Sequence, residues 1–440
     1  MKRKNRQIGD YFLISALILL LLGLCFGILA ALTYLYPHFL KEQLGFVSLR
    51  PLHVSSVLFW IILAATGSVY HGLHQLTSEN TNHRSSQAHW FLWVVAILGI
   101  LYSYIVKDFG GKEYWEFNPV WALPIVFAWL LFLKNFITLS KTIVNWPVYI
   151  WMWLTGILFF LFTFSENYLW LFPYFREHFV NGMTIQWKVN GSLVGAWNQL
   201  IYGTAFFLMD RISNTTHTGR NKLAFFMFFL GLFNLMFNWG HHIYTLPTEK
   251  YIRHIGYVVS MTEWVFFIKI VYNWKKTINE IQKYQHYFPF HFLIAADVWV
   301  FINLIQALIM SIPAFNLYTH GTHVTVAHAM GTTIGINTMI LFAACFEFLI
   351  PRREQGWQSN PILSISFWGL QICLFVFWLS LNIAGIQKGI WQMSNPQSSY
   401  SKMMDALHPY FQWVFFSGFG LLLTLGTLSF TLLLNRKKVE

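Results

Sequence analysis

The residues here that could do chemistry are, above all, histidines. The chain holds 17 of them, although only 10% of it is Asp, Glu, Lys or Arg. His241 and His242 are adjacent within one apolar run. On a regular helix of 3.6 residues per turn such neighbours point about 100° apart, so both reach one metal only if the helix distorts locally. Neutral imidazole suits iron, copper or zinc, and a haem iron takes an axial His with Met or a second His opposite. His53, His328 and the carboxamide of Asn190 lie in three further apolar runs. Polar groups in such places are costly and are functional candidates by default. Cys25, Cys345 and Cys373 lie in apolar runs without metal spacing, so neither a disulfide scaffold nor a zinc site is implied.

The apolar runs must position these residues. Of 440 residues 56% are apolar and 19% aromatic, with 44 Phe and 21 Trp. A soluble domain carries about 25% charged residues, so a soluble globular protein, a coiled coil and a disordered chain are excluded. Abundant aromatics suit a helical membrane protein with aromatic belts. Crossing about 30 Å of hydrocarbon takes about 20 apolar residues. Twelve runs qualify: 11–36, 51–76, 88–106, 118–139, 145–168, 184–210, 221–246, 251–274, 289–313, 319–350, 360–386 and 405–435. The expected fold is all-α, a polytopic membrane protein with about twelve transmembrane helices forming one domain over residues 1–440. The first run follows Lys2, Arg3, Lys4 and Arg6 like a signal peptide, but no small-residue cleavage site follows, and it reads as a retained span.

Basic residues are denser on the N-terminal side of these spans, as at Arg211, Arg220, Lys275, Lys276, Arg352 and Arg353. The positive-inside rule then places both termini in the cytoplasm, as in a bacterial inner-membrane protein. The net charge of +12 reads as an orientation signal and a contact with anionic membrane lipid, with no nucleic-acid footprint. In this topology His53, Asn190, His241–His242 and His328 all fall in the outer half of the bilayer. His71, His74, His83, His89, His217, His286 and His408 sit at span ends and read as hydrogen-bonded interfacial side chains. His320 and His323 stand on the outer approach to the tenth span.

At these residues the chain resembles the haem–copper oxidase superfamily, and within it the large, cytochrome b, subunit of cytochrome-c-type nitric oxide reductases. Arg50-Pro51-Leu52-His53 with Trp60, Gly67 and Tyr70 is similar to the low-spin haem segment. Gly111 to Phe117 is similar to an external glutamate loop near the haem propionates and a calcium ion. Gly240-His241-His242 through Pro247, Gly256, Ser260 and Glu263 is similar to the paired-His metal helix. Thr319 to His328 is similar to the haem-ligand helix. The resemblance implies a subunit I fold with a low-spin haem b, a high-spin haem b, a non-haem iron and a calcium ion. It implies His328 as proximal ligand of the high-spin haem and His53 as one axial ligand of the low-spin haem. It further implies His241 and His242 on the iron, Glu263 as an active-site carboxylate, and Glu113 and Glu116 in the propionate and calcium region.

The departures from that pattern are specific. The family's third metal-binding His and its Glu on the sixth span are matched here by Asn190 and Val194, and a second Glu by Asn198. The second low-spin ligand, normally a His two residues after the high-spin one, is Met330. Met330 can ligate iron through its thioether or serve as packing beside a one-ligand haem. Two helical residues turn through about 200°, so His328 and Met330 face opposite sides. Asn190 can bind iron through its amide oxygen or hold a water. The tyrosines that oxidases of the superfamily use in O2 reduction are matched by Val194 and Leu235. Nitric oxide reduction to N2O is the expected activity; O2 reduction, disproportionation of NO and gas binding with little turnover are the alternatives. Polar residues in the cytoplasmic halves of the spans look few, so protons are expected from outside. No Cys-x-x-Cys-His occurs, so a cytochrome c subunit or another periplasmic donor is implied.

Overall fold

The computed structural model describes residues 7–77, 84–260, 264–350, 360–394 and 399–435, with backbone alone for residues 238, 241, 260, 264 and 265. The chain is helical nearly throughout. Its helices are α1 (Ile8–Leu35), α2 (Gly45–Thr77), α3 (Arg84–Ile105), α4 (Ala122–Ser140), α5 (Val148–Glu166), α6 (Pro173–Arg176), α7 (Phe179–Ser213), α8 (Lys222–Phe237), α9 (Lys250–Ser260), α10 (Trp264–Thr277), α11 (Glu280–Gln285), α12 (Tyr287–Ser311), α13 (Pro313–Thr319), α14 (His323–Met330), α15 (Met339–Leu349), α16 (Pro361–Ser394) and α17 (Tyr400–Leu434). One antiparallel hairpin, β1 (Phe109–Lys112) and β2 (Trp115–Phe117), joins α3 to α4.

Among the described residues nine helices are long and apolar enough to cross a membrane. The chain is a multi-pass membrane protein, and the expected all-α class holds. The three remaining expected spans correspond to α7, α8 and the pair α9–α10. They fall short for a physical reason. α7 has 35 residues but carries Lys188, Asn190, Asn198, Gln199 and Asp210. α8 stops after 16 residues, at the turn that holds the paired histidines. α7 is diluted by polar groups and α8 is apolar but cut short, in both cases where candidate site residues lie.

Burial ranks the helices from centre to rim. In the apolar window of α2, 83% of residues are buried, and 72% in that of 323–349, against 28% for α16. α1 and α2 pack through a stripe of small residues at seven-residue spacing, Gly9, Ala16, Gly23 and Ala30, all but inaccessible. Small residues let membrane helices approach closely, and here the approach is tight. A Cβ on Gly23 would stand 2.7 Å from Val57 Cγ1. After Met330 the helix widens into a π-helical segment, Gly331–Thr338, a distortion frequent at functional sites.

Candidate functional site

His53 is held from behind by α1. Its Nδ1 lies 2.7 Å from the Gly23 carbonyl oxygen. A carbonyl only accepts, so Nδ1 carries the proton and Nε2 keeps its lone pair for a metal. A Cβ on Gly27 would lie 2.7 Å from that same Nδ1. The bond to a backbone carbonyl is the kind of outer support that orients metal-binding imidazoles.

His328 and Met330 close α14, just before the π segment. Asn303 of α12 binds this junction: its Nδ2 donates to Thr332 Oγ1 at 2.7 Å. A Cβ on Gly331 would stand 2.2 Å from Asn303 Oδ1. His328 Nδ1 is buried with no hydrogen-bond partner of proper geometry.

The paired histidines lie on a 3-10 turn, Asn238–Ile243, where α8 ends. This is the local distortion that a shared metal would need. Behind it the chain doubles back into α9. A Cβ on Gly240 would lie 3.0 Å from the Ile252 carbonyl oxygen and 3.1 Å from Gly256 Cα, so the two glycines permit the return. The side chain of His241 and the whole of Glu263 lie outside the described residues.

α7 supplies the facing wall. Gly191 and Gly195 let it approach α8: a Cβ at 191 would come within 3.6 Å of His242 Cδ2, and one at 195 within 3.0 Å of Leu235 Cγ. Ser192 Oγ donates to the Leu235 carbonyl at 3.3 Å. Trp187 stacks on the His242 ring at 6.0 Å and 11°, and its ring lies 5.5 Å from that of His320, tilted by 55°. Both amide atoms of Asn190 are buried without partners.

These residues share one cavity of about 460 Å³, lined by His53, Asn190, His242, His320, His328 and Met330. Of the residues expected at one depth, His53, Asn190, His242 and His328 share this space. Its wall also holds the carboxamides of Asn198, Gln199, Asn234 and Asn303. No Asp or Glu lines it among the described residues, so the wall is neutral and rich in amides. Val194 and Leu235 line it too, at the two places that match the oxidase tyrosines.

The expected propionate and calcium residues form a clamp on Arg50, one turn before His53. Arg50 Nη1 pairs with Glu116 Oε1 at 2.6 Å and Nη2 with Glu113 Oε1 at 2.8 Å. Burial raises the Glu116 pKa above the usual carboxylate value, and Arg50 pulls part of that rise back. Gln186 Nε2 reaches Glu113 Oε2 at 3.5 Å. A calcium ion here would share both carboxylates with the guanidinium.

Residues 7–420 match the family described as cytochrome C and quinol oxidase polypeptide I. The chain belongs to that family. A nitric oxide reductase subunit of Stutzerimonas stutzeri is 22% identical, over 95% of this chain and 92% of that protein. Cytochrome c oxidase subunit 1 of Rhodobacter capsulatus is 23% identical, over 86% and 74%. A cbb3-type cytochrome c oxidase subunit of Stutzerimonas stutzeri is 22% identical, over 91% and 88%. Among solved structures, a cryo-EM haem-copper terminal oxidase dimer superposes with a TM-score of 0.75 and 13% identity, covering 99% of this chain and 86% of that one. As a polypeptide I the chain is a membrane oxidoreductase whose family implies haem cofactors and a metal centre.

The described residues of this polypeptide I fit haem. His53 presents a free-lone-pair nitrogen, and His328 and Met330 face the same cavity. For a non-haem metal the described donors are His242 and Asn190; among described residues no three His, Cys, Asp or Glu converge as a metal group. Three of the histidines expected at span ends have polar neighbours. His71 Nε2 faces Asp10 at 3.1 Å, His89 Nδ1 meets the Tyr70 hydroxyl at 3.0 Å, and His286 Nδ1 binds Glu347 at 2.7 Å. His83 lies outside the described residues. Trp187, Gln199, Asn234 and Asn303 belong to no motif; their signal was only that they are polar or amphipathic groups inside apolar runs.

Proposed function

We propose that the chain is the catalytic subunit of a membrane-bound nitric oxide reductase, joining two NO with two electrons and two protons into N2O and water. One observation carries this reading: His53, Asn190, His242, His328 and Met330 line a single cavity in which Val194 and Leu235 occupy the tyrosine positions. His53 and Met330 would hold a low-spin haem b and His328 a high-spin haem b. His241, His242, Asn190 and Glu263 would hold a non-haem iron, with calcium as the expected cation near Glu113 and Glu116. When bound, these groups would supply electrons and keep both nitrogens of the substrate together. The chain's own contribution is positional. The Gly23 carbonyl sets the His53 tautomer, and Trp187 fixes the plane of the His242 ring. Asn190 offers both a donor and an acceptor to whatever occupies the chamber. A cytochrome c subunit or another periplasmic donor would deliver the electrons, with a single transmembrane domain keeping both termini in the cytoplasm.

The amide in place of a third imidazole favours a second reading, a gas-binding haem protein with little turnover. Anaerobic turnover of the purified protein with NO and a reductant, alongside metal analysis, separates them. N2O formation with two haems and one non-haem iron supports the reductase. Two haems without that iron, and no N2O, supports gas binding. O2 consumption without N2O would return the chain to its oxidase relatives.

A further inference from the structure

We propose that the outward face of α10 carries a binding site for an anionic phospholipid, whose phosphate is held between Lys269 and Lys276. Lys269 is exposed, on a helix whose inner face is apolar: Phe267, Ile270, Val271 and Trp274 are buried. An ionisable side chain within a membrane is expensive and takes a partner, a water-filled cavity or the interface. Lys275 and Lys276, in the last turn of α10, mark the interface, which the positive-inside rule makes the cytoplasmic one. Lys269 lies seven residues before Lys276. At 1.5 Å per residue that is about 10 Å further into the hydrocarbon.

Helix geometry puts the two lysines to one use. Seven helical residues turn through about 700°, which leaves Lys269 and Lys276 on one side of α10, within about 20° of each other. Tyr272 stands between them and is exposed too. Helical side chains lean toward the N-terminus, and here the lean is seen directly. Lys276 Nζ lies 4.1 Å from the centre of the Tyr272 ring, one turn back. The Lys276 ammonium is thus drawn away from the interface and toward Lys269. Like charges brought together where the dielectric constant is low repel strongly, and an anion between them removes the repulsion. The helices on this face do not supply one. α8 and α10 carry Lys222, Lys269, Lys275 and Lys276 but neither Asp nor Glu. Among the described residues Lys269 and Lys276 form no ion pair.

The adjoining surface suits acyl chains. Phe226 of α8 packs on Phe266 of α10 with ring centres 4.9 Å apart, so the two helices lie side by side. Phe226, Phe229 and Phe233 are all exposed and, at spacings of three and four, form one stripe along α8. A free phosphate ion satisfies only the lysines, and a zwitterionic lipid brings its own cation. An anionic phospholipid answers both halves of the face, with its phosphate on the lysines and a chain along the phenylalanines. The inner face of the same helix lines the chamber through Phe267, and Trp274 Nε1 donates to the Met209 carbonyl of α7 at 2.9 Å. The lipid therefore bears on the back of a chamber wall. The inference is independent of which gas the chamber reduces.

The test uses the full-length, haem-loaded protein, delipidated in a neutral detergent, with dioleoyl phosphatidylglycerol as the probe. Native mass spectrometry should show phosphatidylglycerol retained in preference to phosphatidylcholine of the same chains, and thermal melts should rise with the first more than with the second. A lysine near an anionic headgroup is worth about fivefold in affinity. K269Q should therefore weaken phosphatidylglycerol binding about fivefold and the K269Q/K276Q pair about thirtyfold, while K269R stays near wild type. Optical spectra confirm equal haem content, and K276Q gives the same readout if K269Q fails to fold. Equal responses to the two lipids, or unchanged affinity in K269Q and K276Q, overturn the site. Melts raised as much by inorganic phosphate would make it a site for a free anion instead. A membrane protein that co-purifies with the wild type and is lost in K269Q would show that an acidic transmembrane helix, and not lipid, covers this face.

Discussion

His53 is locked by contacts behind it more than by anything in front. The Gly23 carbonyl fixes its tautomer, and Gly27 leaves just enough room for its ring. Gly27→Val should push the ring out of place and cost about 1–3 kcal/mol as overpacking. The low-spin haem spectrum should be lost while the high-spin signal stays; an intact low-spin spectrum would show that another residue sets the ligand. Met330 acts on the potential instead, since His/Met ligation raises a haem's potential relative to His/His. Met330→His should lower the midpoint potential and give bis-His optical features, and an unchanged spectrum would mean that Met330 is packing. At Arg50 the effect is electrostatic. Arg50→Gln leaves Glu113 and Glu116 without their cation, and Glu116 already holds its proton more tightly than an exposed carboxylate. A carboxylate whose folded pKa is raised costs stability as pH climbs from its ordinary value through the raised one. Thermal melts of the variant should therefore fall further below wild type at pH 8 than at pH 5. An equal deficit at both values would mean that the clamp is not what Arg50 contributes.

The elements that carry the site depart from regularity where chemistry requires it. α8 ends in a 3-10 turn at the histidine pair, and α14 runs into a π segment behind its two ligand candidates. α7 and α9 close on that turn through glycines. The histidines and Asn190 were legible in sequence because polar side chains in apolar runs stand out and topology gave each a depth, whereas Met330 was legible only through the resemblance, as the residue standing where the family has a second His. The Gly240–Gly256 approach was visible as residues but not as a contact, because backbone proximity between two segments leaves no periodic pattern. The Arg50 clamp and the Trp187 stack were hidden for a similar reason: pairings across many intervening residues depend on packing. The sparse cytoplasmic polarity read from sequence also understated Glu347, which is nearly inaccessible and held by Arg211 and His286. Gly240→Val tests the role of the close return. It should wedge α9 from the 3-10 turn and lower non-haem metal content while both haems remain. Full metal occupancy would show that the turn does not depend on this approach.

At the scale of the whole molecule, charge and apolarity divide the chain into a rim for lipid, an apolar core around a chamber that gathers amides and imidazoles, and two unlike faces. The lipid-facing helices supply the hydropathy and the central ones supply the ligands. The membrane itself decides which face meets the electron donor, and the positive-inside rule assigns the hairpin β1–β2 to the outside. That hairpin holds Glu113 and Glu116 against Arg50, so its sidedness fixes the depth of His53 and of the entire chamber. In a background with Cys25, Cys345 and Cys373 replaced, Lys112→Cys on the hairpin should react with an impermeant thiol reagent in intact spheroplasts. Thr216→Cys, in the exposed turn after α7, should react only after lysis. The two sites lie at opposite ends of the helix bundle, so one measurement controls the other. Labelling in the opposite order would invert the chain in the membrane and put the hairpin, Arg50 and the His53 end of the chamber on the cytoplasmic side.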